Sequence, residues 1–132
     1  MKQLVLSELH ESLGGKMVEF SGYKMPVQFE GVKAEHHTVR NEVGVFDVSH
    51  MGEVFVSGEK ALDFLQYITT NDVSKLTPGK IQYTCLPNAK GGIVDDFLLY
   101  MITENNYLLV VNASNMEKDL AWINKHNTFG CK

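Results

Sequence analysis

Cysteine and proline are scarce in this chain, long apolar runs are missing, and positive charge is nowhere concentrated. Two cysteines, Cys85 and Cys131, stand far apart in 132 residues with no Cys-x-x-Cys spacing. That argues against a disulfide-stapled secreted domain and reads as two free thiols in a reduced, cytoplasmic protein. The five histidines are scattered without metal-ligand spacing, so a metal enzyme has no support. No hydrophobic stretch approaches membrane-spanning length, and the opening Met-Lys-Gln-Leu-Val-Leu-Ser-Glu turns polar too soon for a secretory signal. The 12 Lys and Arg residues are dispersed and the formal net charge is -4. No basic stripe therefore offers nucleic acid a counterion-releasing surface.

What is present suits a folded domain of ordinary size. Hydrophobic residues make up 44% and charged residues 21%, enough apolar surface to build a core. Residues 1–32 carry Gly14, Gly15, Gly22 and Gly31, with Pro26 interrupting an extended piece. They read as a short helix near 4–12, then a strand or two, in an arm that seeks a partner surface. A helix is expected from Val32 to about Val43, ended by Gly44. Glu53–Ser57 reads as a strand, and Ala61, Leu62, Leu65 and Ile68 recur at helical spacing over 59–68. Thr77-Pro-Gly-Lys80 is a turn, because Pro presets φ and the glycine after it tolerates the backbone angles a turn requires.

Three strands come next in quick succession: Ile81–Leu86, Ile93–Ile102 and Tyr107–Asn112. Gly91-Gly92 and Asn105-Asn106 supply the turns between them. Ser114-Asn-Met-Glu117 has the form of a capping box and predicts a helix over 114–126. The order strand, helix, three strands, helix predicts an α+β fold, an antiparallel sheet with helices packed on one face. The tail Asn127-Thr-Phe-Gly-Cys-Lys132 stops without a closing element and reads as part of something longer.

The chemistry centres on Ala89-Lys-Gly-Gly-Ile-Val-Asp-Asp-Phe-Leu-Leu-Tyr100. Alternation along the strand places Val94, Asp96, Leu98 and Tyr100 on one face and Asp95, Phe97 and Leu99 on the other. Both faces are otherwise apolar, which reads as a strand covered on both sides. A carboxylate beside an apolar wall needs a donor or a cation to compensate it. Two readings stay open: strand-start aspartates that cap the glycine turn, or a carboxylate that meets the N–H groups of a polar ligand. Asp95 suits the first as a turn or edge residue. Tyr83 is either part of the same wall or a cross-strand aromatic partner of Tyr100. Cys85 has no neighbouring His or Lys and reads as a small core hydrophobe.

Asp47-Val-Ser-His-Met-Gly-Glu53 gathers Asp, Ser and His. Three triad members packed so closely along the chain rarely reach triad geometry, so a tight turn is the better reading. Met51 either gives soft contact to a flat ring or fills core. His36-His37 reads as a solvated helix face, and Asn112 as a helix cap or a polar ligand contact.

Five blocks together carry a resemblance. They are Lys16-Met-Val-Glu-Phe-Ser-Gly-Tyr-Lys-Met-Pro26, Arg40-Asn-Glu-Val-Gly-Val-Phe-Asp-Val-Ser-His-Met-Gly-Glu53, Ile68-Thr-Thr-Asn-Asp72, Gly91-Gly-Ile-Val-Asp-Asp96, and Val110-Val-Asn-Ala113 with Glu117-Lys-Asp119 and Trp122-Ile123. In that order and spacing they resemble the N-terminal part of the glycine cleavage system T protein family, the tetrahydrofolate-dependent aminomethyltransferases.

The resemblance implies that the intact protein takes the aminomethyl group from the lipoylated H protein, releases ammonia and passes the one-carbon unit to tetrahydrofolate. It implies that Asp96 is the catalytic carboxylate, accepting a folate N–H and stabilising positive charge as ammonia leaves. Met51, Tyr83, Leu98, Tyr100 and Asn112 are implied as folate-pocket residues beside it. It further implies that 1–52 is the N-terminal part of a split folate-binding domain and 53–132 an incomplete ferredoxin-like α+β domain. Family members are much longer, so a chain of this extent is expected to have an incomplete pocket, to be inactive alone, and to mask exposed apolar surface by self-association. The alternatives are another member of the folate-binding superfamily, such as the folate domain of a dimethylglycine or sarcosine dehydrogenase, or a non-catalytic folate-binding protein.

Overall fold

Short apolar runs separated by glycine and asparagine turns fold here into two sheets. A computed structural model describes residues 1–132, which divide into the units Met1–His50 and Met51–Lys132.

In the first unit, β1 (Lys2–Gln3) precedes α1 (Ser7–Ser12), and the hairpin β2 (Met17–Phe20) and β3 (Tyr23–Pro26) comes after it. The sheet order is β1-β3-β2, with β1 parallel to β3. The short helix and the strands expected within residues 1–32 are present, organised around a sheet of their own. Pro26 ends β3, where its missing N–H costs no ladder bond. Helix α2 (Val32–Asn41) stops before Gly44, and Glu35 Oε1 reaches back to accept from the Phe29 and Gly31 amides. That helix buries no residue, and His36 and His37 are exposed as expected.

The second unit contains β4 (Gly52–Ser57), α3 (Ala61–Ile68), β5 (Ile81–Pro87), β6 (Ile93–Thr103), β7 (Asn106–Val111) and α4 (Met116–His126). The four strands form an antiparallel sheet in the order β4-β7-β6-β5. This is the α+β arrangement the element order predicts. Ala61, Phe64, Leu65 and Ile68 give α3 a buried stripe at helical spacing. They pack with Leu86, Phe97, Leu99, Leu109 and Val111 from one face of the sheet and with Ile123 from α4.

Gly91 at φ +81° makes the β5–β6 turn, and Asn88 Oδ1 holds it by accepting from the Lys90 and Gly92 amides. Asn105 at φ +61° serves the β6–β7 turn, a conformation asparagine tolerates better than most residues.

Four sequence expectations require correction. Asp95 neither caps the glycine turn, a task Asn88 performs, nor lies at an edge; it is 7% exposed on the core face. The β6 strand is not covered on both sides, since Leu98 is 39% exposed. Cys85 pairs in register with Asp96 on that open face and is not a core residue. Ser114 forms no capping box: α4 begins after a short 3-10 turn, Ala113–Asn115, and no side chain caps it.

Candidate functional site

The β5–β6 register fixes which side chains meet. Ile81, Tyr83 and Cys85 stand opposite Tyr100, Leu98 and Asp96. Across β7 and β4 the same face continues through Val110 and Leu108 to Glu53 and Phe55. The result is a broad sheet face in which Ile81, Tyr83, Leu98 and Phe55 are exposed. An exposed apolar sheet of this extent with a carboxylate at one end has the composition of a binding surface.

Asp96 is the polar focus of that face. The Tyr83 hydroxyl donates to Asp96 Oδ2 at 3.1 Å. No other side chain donates to this carboxylate, so its second oxygen is free to accept from an incoming N–H. The hydrogen bond to Asp96 pushes the Tyr83 pKa above its ordinary value, because ionising the phenol would set two anions side by side.

Tyr83 and Tyr100 do not form the cross-strand pair the sequence suggested. Tyr83 faces Leu98, and Tyr100 faces Ile81 and Leu108, in a register set by the Gly91-Gly92 turn together with the bulge between Leu86 and Pro87. The structure therefore groups Tyr83, Asp96, Leu98 and Tyr100 on one surface.

Asn112 belongs to the support of that surface. Its Nδ2 donates to Asp95 Oδ1 at 3.1 Å and to the Asp96 backbone carbonyl at 2.9 Å. The amide read from sequence as a helix cap instead ties the end of β7 to the backbone of Asp96. Asn115 Nδ2 adds a second bond to Asp95 Oδ1 at 2.9 Å. Met51 is half-buried at the start of the second unit, beside Gly52.

Sequence reasoning missed Glu53, Phe55 and Val110 as parts of this face, and read Cys85, two residues from Tyr83 on its strand, as core. Alternation within each strand was available to find them, but the pairing register between strands was not.

The Asp47 cluster resolves as a turn. Asp47 Oδ1 accepts from the Ser49 amide and hydroxyl at 2.9 and 2.6 Å, while Oδ2 lies 2.7 Å from His10 Nε2. Burial would raise the Asp47 pKa, but the bonds from His10 and Ser49 outweigh it and hold it at about 2. The imidazole it meets comes from α1, 37 positions earlier, and not from His50 of the tempting triad.

The second unit also has a groove of about 280 Å³ lined by Tyr67, Ile68, Pro87 and Trp122. It includes no carboxylate, and the one ionisable side chain in it besides the Tyr67 phenol, His126, is tied through Nδ1 to the Trp122 carbonyl at 2.8 Å. Chemistry therefore favours the Asp96 face over this concavity. No group of three or more His, Cys, Asp or Glu is placed to hold a metal ion, and no helix is long and apolar enough to cross a membrane.

Comparison with known proteins bears on the whole chain. The family described as "GCVT N-terminal domain" matches residues 6–132. An aminomethyltransferase of Flavobacterium psychrophilum is 63% identical over 130 residues, covering 98% of this chain and 36% of that protein. An aminomethyltransferase of Bacteroides fragilis is 59% identical over 132 residues, covering 100% of this chain and 37% of that protein. Among solved structures, the crystal structure of glycine cleavage system aminomethyltransferase T from Bartonella henselae superposes with a TM-score of 0.90 at 40% identity. It matches 99% of this chain and 37% of that one. The chain thus spans a little over a third of the length of these relatives. With the family matched from near its first residue to its last, this chain belongs to the GCVT N-terminal domain family.

Proposed function

We propose that the intact protein is an aminomethyltransferase of the glycine cleavage system, with tetrahydrofolate as acceptor and the aminomethyl-lipoyl H protein as donor. The relatives' names support the transferase activity. The observation that carries the assignment of the site is the Asp96 carboxylate, braced by the Tyr83 hydroxyl on an open apolar sheet face.

Such a face suits a flat heteroaromatic acceptor. Tyr83, Leu98 and Tyr100 offer contact area, and Asp96 offers the acceptor oxygen that an incoming N–H requires. In the transfer, the donor carbon exchanges its bonds to sulfur and to nitrogen for bonds to two acceptor nitrogens. The two acceptor N–H hydrogens balance the thiol and ammonia released. Asp96 contributes by orienting the nucleophilic nitrogen and by stabilising positive charge as ammonia leaves. Asn112 acts one step back, by holding the Asp96 backbone, and Met51 adds a soft apolar contact at the margin.

Exposed Val43, Val45, Phe46 and Val48 in the first unit favour cover by further protein, either the remainder of a longer chain or a second copy. On this basis a protein of this extent is inactive by itself. Two free cysteines fit a reducing, cytoplasmic site of action.

The test is the intact protein carrying Asp96→Asn. It should lose transfer to tetrahydrofolate while binding it within about tenfold of wild type, roughly 1.4 kcal/mol. Turnover with lipoylated H protein that survives the change nearly intact would remove Asp96 from the role assigned to it.

A further inference from the structure

Beneath Asp96, on the opposite face of β6, lies a second pair of acids that the transfer itself does not use. Asp95 is 7% exposed, and Asp119 of α4 is fully buried. Asp95 Oδ1 is satisfied by the amides of Asn112 and Asn115. Asp95 Oδ2 and both oxygens of Asp119 have no donor at all. The two carboxyl groups lie within hydrogen-bonding reach of each other.

Two ionised carboxylates held together in a core repel, and three buried acceptor oxygens without a donor are costly. One proton placed between them relieves both penalties, since a protonated carboxyl donates to its ionised neighbour.

We propose that Asp95 and Asp119 hold one proton between them and act as positioning residues for Asp96, through Asn112, whose amide bonds both Asp95 and the Asp96 backbone carbonyl. The positioning role rests on Asp96 being the acting carboxylate; the shared proton does not.

The local chemistry assigns the proton to Asp119. Burial, then the contact with Asp95, push its pKa up to about 7. Burial alone would raise Asp95 too, but the bonds from Asp119, Asn112 and Asn115 outweigh it and keep its pKa below the ordinary value. The charged groups that act on the pair are Asp96, on the opposite face of β6, which favours the proton, and Lys118 on α4, which opposes it. Lys118 directs its ammonium to the Val94 carbonyl at 2.6 Å. Above its pKa, Asp119 ionises beside Asp95 and the clamp on Asn112 loosens.

The test uses the intact protein with three readouts. Infrared difference spectroscopy below pH of about 7 should show a buried protonated carboxyl that Asp119→Asn abolishes. Its absence from wild type would overturn the shared proton. In the aminomethyl-transfer assay, kcat of wild type should fall as pH rises through about 7. Asp119→Asn keeps an N–H for Asp95 without titrating and should remove that fall, whereas Asp119→Ala should lower kcat by up to roughly 100-fold with little change in KM. Persistence of the fall in Asp119→Asn would overturn the positioning role. If Asp119→Ala does not fold, the Asp119→Asn profile and the infrared band still decide. Activity retained in Asp96→Asn would refute the site itself and leave the infrared result standing, so the two failures are distinguishable.

Discussion

Replacing Asn112 by alanine separates a residue that holds the site from one that merely lies near it. Asn112 Nδ2 serves two acceptors, Asp95 Oδ1 at 3.1 Å and the Asp96 carbonyl at 2.9 Å. A hydrogen bond to a charged acceptor contributes about 1.5–3 kcal/mol and a neutral one about 0.5–1.5 kcal/mol. Asp95 Oδ1 keeps Asn115 at 2.9 Å, so its carboxylate is not stranded and the loss falls in the lower part of that range. The expected cost is about 2–3 kcal/mol. For a unit of this size that corresponds to a fall of roughly 10–20 °C in Tm. Urea unfolding is the assay, with the m-value checked so that a change in midpoint reports stability and not a change in the unfolded state. Asn112→Asp supplies a control on mechanism. It sets a further carboxylate against Asp95, so its cost should equal or exceed that of alanine near neutral pH and shrink as pH falls. An Asn112→Ala protein within about 0.5 kcal/mol of wild type would refute the argument that this amide braces β6.

Asp119 makes stability fall with rising pH. Its folded-state pKa of about 7 lies above the ordinary 3.8, so the folded form binds the proton more tightly between those values. That contribution is complete below the unfolded pKa and is lost as pH rises through the folded one, with a ceiling of about 4 kcal/mol at roughly 1.4 kcal/mol per unit. Sharing the proton with Asp95 reduces it. Urea midpoints measured across this window should decline in wild type and stay flatter in Asp119→Asn; equal slopes would contradict the assignment. Separately, a Cβ at Gly52 would lie 2.5 Å from Met116 Cγ and 2.8 Å from Val111 Cγ2. Gly52→Ala should therefore cost about 1–3 kcal/mol, partly recovered by adding Met116→Ala, and a cost near zero would show that the contact relaxes freely.

The local part of this architecture was legible in the sequence. Helical spacing over Ala61–Ile68 and the glycine and asparagine turns around β6 located the second unit's elements. Strict alternation put Asp96 with Leu98 and Tyr100 before any partner strand was known. What alternation cannot supply is which face is covered. Asp95 looked like a turn residue because its stabilising partners, Asn112, Asn115 and Asp119, lie about twenty positions away and come together only on folding.

The same limit explains Tyr83. Its partner across the strands depends on register, which the turn and the bulge at Leu86–Pro87 set together, and the register gives Leu98 where composition suggested an aromatic pair. Ser114 failed as a cap for a related reason. The polar residues around it are drawn to Asp95, so α4 starts without its side chain. In the first unit, a two-residue parallel strand and a His10–Asp47 contact spanning 37 positions leave no periodic trace for sequence analysis to detect.

The reading proposed above has the open face of β5 and β6 receive tetrahydrofolate. Backbone hydrogen–deuterium exchange of the intact protein, with and without tetrahydrofolate, tests it most directly. Peptides covering Ile81–Pro87 and the Asp96–Tyr100 part of β6 should exchange more slowly when tetrahydrofolate is bound. Binding that leaves those two strands unchanged and protects the Tyr67–Trp122 groove instead would move the folate site off the β5–β6 face and overturn the role proposed for Asp96.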